Sequence, residues 1–411
     1  MNSSGAREGV RSGAAMTARV LDLLCIALVA LTACNGERAN STRPTVRDSA
    51  GIRIVENTEP QWGEGKGWRL SATPLLQIGV ESGDPNYEFE RVVSVLQLSD
   101  DRIAVADQGA QMIRLYDRDG AFVRSVGGSG SGPGEYRHIS SMRRYRTDSL
   151  SVYDANADRI SILGPNLGFA RSVMLSSAGE IRVATSLGSF PDGSWLLEGS
   201  NFTAYLQHTT PGVNRIGMVL LRFDAVAGRV DSLAEAPGME MLVELEAGFP
   251  NSRTLPFGLA SVAGIYHDGY LLASSDTYEI RHYDGANQLQ QIVRRYGAER
   301  RVTANDIEAI RTRLVEAPVP DDMPAFGRFG FVSTRPVILV DNVHNTWVLD
   351  YHFSEDAPES WAVLDPGGTY LGTIAFPIGF TPLDIADDQI VGVWQDEMDV
   401  QYVRVYGLEK D

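Results

Sequence analysis

The sequence predicts an all-β fold: a six-bladed β-propeller of four-stranded antiparallel blades. Three observations carry this. A short β-rich unit recurs six times. The copies lie about 45 residues apart where nothing intervenes, the length of one four-stranded blade. The last copy lacks an outer strand, while an unpartnered strand stands near the beginning. Such meanders cannot each bury a face alone, so they must pack blade on blade.

The organising stretch is Ser99 to Glu135. Ile103 to Ala106 alternates into a strand, Asp107 to Gln111 turns, and Met112 to Tyr116 forms a second strand. Arg118-Asp119-Gly120 is a tight turn before a third strand, Ala121 to Val126; a D-G pair between β-rich runs is a hairpin signal. The copies begin at Arg102 to Asp107 and continue with Ser149 to Asp154, Asp192 to Glu198, Asp268 to Ala273, Asn345 to Asp350 and Asp388 to Trp394. Partner strands follow at Met112 to Tyr116, Arg159 to Leu163, Val219 to Phe223, Glu279 to Tyr283, Trp361 to Leu364 and Val400 to Tyr406.

Two intervals are longer. Asn201 to Gly217 reads as a loop or an extended hairpin. Arg300 to Ala325 contains Thr303 and Asp306 in a capping-box arrangement, then Ile307, Ile310, Leu314 and Val315 at helical spacing. This predicts one inserted helix, stopped by Pro318, Pro320 and Pro324. At the end of the chain no outer strand follows Tyr406, so Leu75 to Ile78 is expected to complete the last blade and close the ring.

The front of the chain reads differently. Residues 1–33 form a signal peptide: Arg7, Arg11 and Arg19 precede the apolar run Leu23 to Leu31, which is too short to span a bilayer. Met16 is an alternative start. Leu31-Thr32-Ala33-Cys34 resembles the lipobox of bacterial lipoproteins, in which the cysteine after the cleavage point is lipidated. Residue 35 is Asn rather than Asp, which in such lipoproteins implies the outer membrane. Residues 34–66 are assigned to a tether, polar and without periodicity from Asn35 to Asp48, with a strand at Ile52 to Val55 beyond it. The propeller is assigned to 67–411. The only cysteines are Cys25 and Cys34, so cleavage and lipidation leave no disulfide and no zinc–thiolate site.

The chain of 411 residues carries a net charge of -17, and cleavage before Cys34 removes three Arg, one Asp and one Glu to leave -18. An acidic surface disfavours nucleic acid. A solvated acidic surface accounts for the charge; a focused cation site is the sharper alternative.

The loop Gly127 to Tyr136, G-G-S-G-S-G-P-G-E-Y, resembles the linker of the six-bladed β-propeller lipoprotein family related to NHL-repeat proteins. W-R-L…P-L-L-Q-I-G upstream, the D-D-R-I-A-V-A-D unit and T-W-V-L-D-Y near the C-terminus agree with it. The resemblance covers Trp68 to Leu408 and implies the fold more than any activity. A phosphate-binding role for the loop is excluded by the missing G-K-S/T ending and following helix.

In such a blade, inter-blade links and second-to-third-strand turns share one face, where propeller ligands generally sit. The candidate ligand-binding residues on that face are Asp107, Gln108, Arg137, His138, Asp154, Asn156, Asp276, Tyr351, His352 and Gln395, with Asp396 beside the last. Asp107, Asp154 and Asp350 each end a second strand. A carboxylate ring could hold Ca²⁺; an Asp accepting backbone amides in its own turn repeats with the turn, and the repetition favours that reading. Amidating-lyase relatives of similar architecture hold zinc with inward histidines. Here His138, His208, His267, His282, His344 and His352 show no H-x-H or H-E-x-x-H spacing, so no metal ligand is assigned. Trp195, Trp347, Trp361 and Trp394 lie within strands and read as inter-blade packing. No catalytic residue is assigned, and no G-x-S-x-G elbow follows a strand.

The reading is therefore a monomeric, non-catalytic envelope lipoprotein that binds a protein, peptide or glycan and meets the membrane only through lipid on Cys34. The alternative is a metal-dependent hydrolase or lyase, lactonase-like or amidating-lyase-like, centred on the channel.

Overall fold

A computed structural model describes residues 43–410 except 64, 147–148, 176–179, 202–209, 247–248, 299, 311–318, 329–334 and 355–356. The expected signal peptide, Cys34 and His208 lie outside the described residues. No helix among the described residues is long and apolar enough to cross a membrane.

The strands form six sheets, each starting with an innermost strand. Blade 1 is Val92–Gln97, Ile103–Asp107, Met112–Tyr116 and Phe122–Gly127. Blade 2 is Ile139–Tyr145, Ser149–Asp154, Arg159–Leu163 and Phe169–Met174. Blade 3 begins Ile181–Ser189, Trp195–Asn201, Gly212–Asp224 and Arg229–Glu246. Blade 4 begins Ser261–Tyr266, Gly269–Ser274, Glu279–Tyr283 and Leu289–Arg295. Blade 5 is Ile338–Val340, Thr346–Leu349, Ser360–Leu364 and Tyr370–Ala375, and blade 6 begins Phe380–Ile385, Gln389–Gln395 and Gln401–Glu409. Every second and third strand expected from the repeat is present.

Alternation explains why each blade buries both faces. In Ile103–Asp107, Ala104 and Ala106 face blade 2, whereas Ile103 and Val105 face blade 6. Further clusters join blade 2 to 3, blade 3 to 4, and blades 4, 5 and 6, so apolar packing runs around the whole ring. Trp195, Trp347 and Trp361 are fully buried in these seams, as expected from their strands.

Closure occurs in blade 6, as expected. Leu76–Ile78 pairs with Gln401–Glu409 in the register Ile78↔Val403, Gln77↔Arg404, Leu76↔Val405. Arg69–Leu70 pairs further along the same strand.

The N-terminal segment does more than close the ring. Ile52–Asn57 adds parallel to the outer strand of blade 4, and Thr45–Ser49 pairs outside it. The Gln61 and Trp62 amides then donate to Tyr370 and Leu371 on blade 5. A Cβ on Gly372 would fall inside the Trp62 ring, so only glycine admits that approach. Asn57, 1% exposed, ties blade 4 to blade 5: its Nδ2 donates to Arg294 O (3.1 Å) and Gly368 O (2.9 Å), and its Oδ1 accepts from Tyr370 N (2.8 Å). The chain thus runs as a belt across blades 4, 5 and 6. This corrects the tether assigned to 34–66, because residues 45–57 are paired strand.

The four-stranded plan is extended in two of the blades. Blade 4 has six strands through the belt, and blade 3 has five. In blade 3 Gly212–Asp224 and Arg229–Glu246 form a hairpin that pairs well beyond the blade, and Phe249–Thr254 adds outside; of the long interval Asn201 to Gly217, residues 202–209 lie outside the described residues. The inserted helix is Ala304–Ala309, with the capping box formed: Thr303 Oγ1 accepts from Asp306 N (3.3 Å) and Thr303 N donates to Asp306 Oδ2 (2.8 Å). Leu314, Val315 and Pro318 lie outside the described residues.

Candidate functional site

The inner strand of blade 1 starts opposite the end of its second strand, Val92↔Asp107, and that of blade 2 likewise, Ile139↔Asp154. Links and second-to-third-strand turns therefore share one face. At the opposite end, Arg144 grips Asp384 with both Nη atoms (2.7 and 2.6 Å), while Asp384 Oδ2 accepts from Gln97 N (2.9 Å). That staple joins the inner strands of blades 6, 1 and 2 and leaves the turn face as the place for a site.

On this face the aspartates are structural. Asp107 Oδ1 accepts from the amides of Arg91 (2.9 Å), Gly109 (3.1 Å) and Ala110 (3.4 Å), and Oδ2 from Glu90 (3.2 Å) and from Arg114 Nη1 (2.8 Å). Asp154 repeats the pattern with the amides of Arg137 (2.8 Å), His138 (3.0 Å), Asn156 (3.2 Å) and Ala157 (3.2 Å), and with Arg159 Nη2 at 3.6 Å. Both carboxylates are fully buried. They are removed from the ligand contacts and from any Ca²⁺ ring. Asp350 is engaged by Arg295 (2.9 Å), and Asp276 is held by both Nη atoms of Arg215 (2.8 and 3.0 Å).

The other candidates scatter. Gln108 is buried, with Nε2 3.1 Å from His138 Nε2, and it donates to Ile139 O (2.8 Å). Gln395 accepts from Arg335 Nη2 (3.0 Å). The His352 amide donates to Gly327 O (2.9 Å). Arg137 and Asn156 are exposed beside Asp154. The glycine loop is no anion cradle: its Ser131 and Gly132 carbonyls accept from Arg159 Nη1 (3.1 and 3.2 Å), and Gly132 N donates to Glu135 Oε2 (2.8 Å).

Histidines gather on the other face. His267 and His344, in first-to-second-strand turns of blades 4 and 5, stack with ring centroids 3.8 Å apart. His282 packs on Tyr266 at 4.3 Å, and burial lowers its pKa to about 4. Among the described residues no group of three or more His, Cys, Asp or Glu could hold a metal ion.

One cavity does open on the turn face, between blades 3, 4 and 5, with a volume of about 20 Å³. Its walls include Leu255, Val262, Phe326 and Val337; Arg328 and Tyr351 supply polar groups. Arg328 is positioned by a backbone bridge to His352 and by its neighbour Gly327, whose amide donates to Leu349 O (3.0 Å). Its Nη1 pairs with Glu359 Oε1 at 2.7 Å, both side chains being 8% exposed. Arg328 Nε and Nη2 and the Tyr351 hydroxyl are buried without a hydrogen-bond partner. Burial pushes the Tyr351 pKa up, partly opposed by the nearby Phe257 amide, so the hydroxyl keeps its proton. Of the sequence candidates, only Tyr351 lines this cavity. Arg328 was missed: it is a lone cation between Phe326-Gly327 and a run of aromatics and glycine, with no strand periodicity to flag it.

Residues 87–161 match the model of the DUF5128 family, described as a 6-bladed beta-propeller. The fold is a six-bladed β-propeller. Among solved structures, a member of the duf4221 family from Bacteroides vulgatus ATCC 8482 is similar with 10% identity and a TM-score of 0.51, over 84% of this propeller chain and 99% of that one. Virginiamycin B lyase from Staphylococcus aureus is similar at 10% identity and TM-score 0.42, over 82% and 99% of the two chains. A gluconolactonase from Xanthomonas campestris is similar at 11% identity and TM-score 0.42, over 83% and 100%. No curated protein matches the chain. The first structural likeness supports the propeller fold alone.

Proposed function

We propose that this propeller is a non-catalytic binding module, carried on the bacterial envelope by lipid on Cys34 and engaging a protein, peptide or glycan on its turn face. One observation carries the reading. The turn-face carboxylates Asp107, Asp154, Asp276 and Asp350, and Glu359 beside the cavity, are engaged by amides or arginines, while Arg328 and Tyr351 at the cavity keep donors without a partner. Metal-dependent hydrolysis or elimination needs carboxylates or imidazoles free to ligate metal or take a proton. Donors alone orient and hold a ligand.

Metal analysis of the full chain, purified in mild detergent without chelators, tests this. The expected content is far below one equivalent. One Ca or Zn per chain retained through gel filtration would overturn the reading in favour of a metal-dependent hydrolase or lyase. The anchor is tested separately: labelled palmitate should enter the chain, and Cys34→Ala should abolish its incorporation.

A further inference from the structure

We infer that the seam between blades 4 and 5 is an acid-opened joint. A cluster of Tyr266, His267, His282 and His344 closes it at neutral pH, on the side opposite the turn face, and protonation of the imidazoles loosens it.

Both blades supply the cluster. Tyr266 ends the inner strand of blade 4, and His267 follows in the turn to Gly269–Ser274. His344 stands in the equivalent turn of blade 5, and the two imidazoles stack across the seam with centroids 3.8 Å apart and planes 32° from parallel. His282, on the third strand of blade 4, packs on Tyr266 at 4.3 Å; it is 5% exposed, and neither ring nitrogen has a partner. The Tyr266 hydroxyl donates across the seam to Pro366 O (3.3 Å). Three imidazoles therefore surround the one side chain that pins blade 4 to this turn of blade 5.

Neutral imidazoles tolerate this packing and charged ones do not. Two stacked imidazoliums repel, and a charged His282 would lie in the seam without water. The surrounding charges do not relieve this. Burial and His344 hold the His267 pKa below its usual value, opposed by the neighbouring Asp268. Asp341 and Asp365 of blade 5 lie near Tyr266. Asp341 already accepts from Asn345 Nδ2 (2.8 Å) and Trp347 Nε1 (3.0 Å), and Asp365 from Thr369 N (2.7 Å). Arg53 of the belt, bonded to Gly367 O (3.4 Å), adds positive charge beside the same turn. Burial, and then His267, lower His282 to about 4 from an ordinary 6.5. Between these values the open seam binds a proton that the closed seam excludes, so closure is intact above pH 6.5 and weakens as pH falls towards 4. From pH 7 to 5 this one group favours opening roughly twentyfold.

Hydrogen–deuterium exchange of the full chain at pH 7 and pH 5, corrected for the intrinsic pH dependence of exchange, tests the joint. Protection in Ser261–Tyr266, Glu279–Tyr283 and Thr346–Leu349 should fall roughly tenfold or more at pH 5. Ile103–Asp107 and Met112–Tyr116 of blade 1 should change less than about threefold. His282→Phe keeps a ring against Tyr266 and should recover most of the loss. His267→Asn and His344→Asn should recover the remainder; asparagine accepts the left-handed backbone of both positions (φ 54° and 67°). Equal protection at the two pH values, a loss shared equally by blade 1, or an undiminished loss in the variant carrying all three substitutions would overturn the joint. The wild type compared with itself at two pH values decides the matter even where a variant fails to fold.

Discussion

The second-strand turns of blades 1 and 2 and the cavity beside blade 5 sit on one face and use the same residue types to opposite ends. In the turns, each buried carboxylate meets four backbone amides and an arginine. At the cavity, Arg328 meets one carboxylate and keeps two nitrogens unpaired, next to an unpaired tyrosine hydroxyl. A saturated polar group belongs to the fold. An unsaturated buried one weakens the fold unless a water or a ligand satisfies it.

The contrast can be broken first where the expected effect is largest. Asp154→Ala removes the acceptor of four amides and the counter-charge of Arg159, and should lower the unfolding free energy by about 3–5 kcal/mol in urea titrations. Loss of under 1 kcal/mol would mean that the turn does not depend on its carboxylate. Asn57→Ala tests the belt by the same logic: one hydrogen bond to Arg294 of blade 4 and two buried ones to blade 5 disappear, for an expected loss of about 2–3 kcal/mol.

A third test asks what removing a carboxyl from water costs the fold. Glu198, on the second strand of blade 3, has its pKa raised by burial to about 7 from 4.5. Folded protein then holds a proton that unfolded protein has lost between pH 4.5 and 7. Its contribution to stability is intact below pH 4.5, declines as pH rises towards 7, and stays lost above. Glu198→Gln should flatten this decline and stabilise the protein above pH 7 by roughly 1–3 kcal/mol in unfolding titrations across pH. A mutant whose stability falls with pH like that of the wild type would remove Glu198 from the account.

The two regions also differ in how far the sequence shows them. Runs such as Ile103–Asp107 display their strands because both faces are buried, and the missing outer strand after Tyr406 points to closure. The turn role of Asp107 and Asp154 is visible because it repeats with the turn. The belt is not visible, since T-V-R-D-S and I-R-I-V-E-N do not record which of six outer edges they join. Nor is Arg328, whose setting is made by Glu359 and Tyr351 from other segments and by no repeating position. Repetition reveals what every blade shares; the cavity depends on the departure from it between blades 4 and 5.

Tyr351→Phe is expected to have the smallest effect on folding, and it bears most directly on the claim that unpaired donors mark the site. Unfolding free energies of Asp154→Ala and Tyr351→Phe should be measured side by side in urea. The expected result is the large loss in the first and a change within about 0.5 kcal/mol, or a slight gain, in the second. A loss at Tyr351→Phe comparable to that at Asp154→Ala would show that its hydroxyl belongs to the fold and would contradict the division of this face.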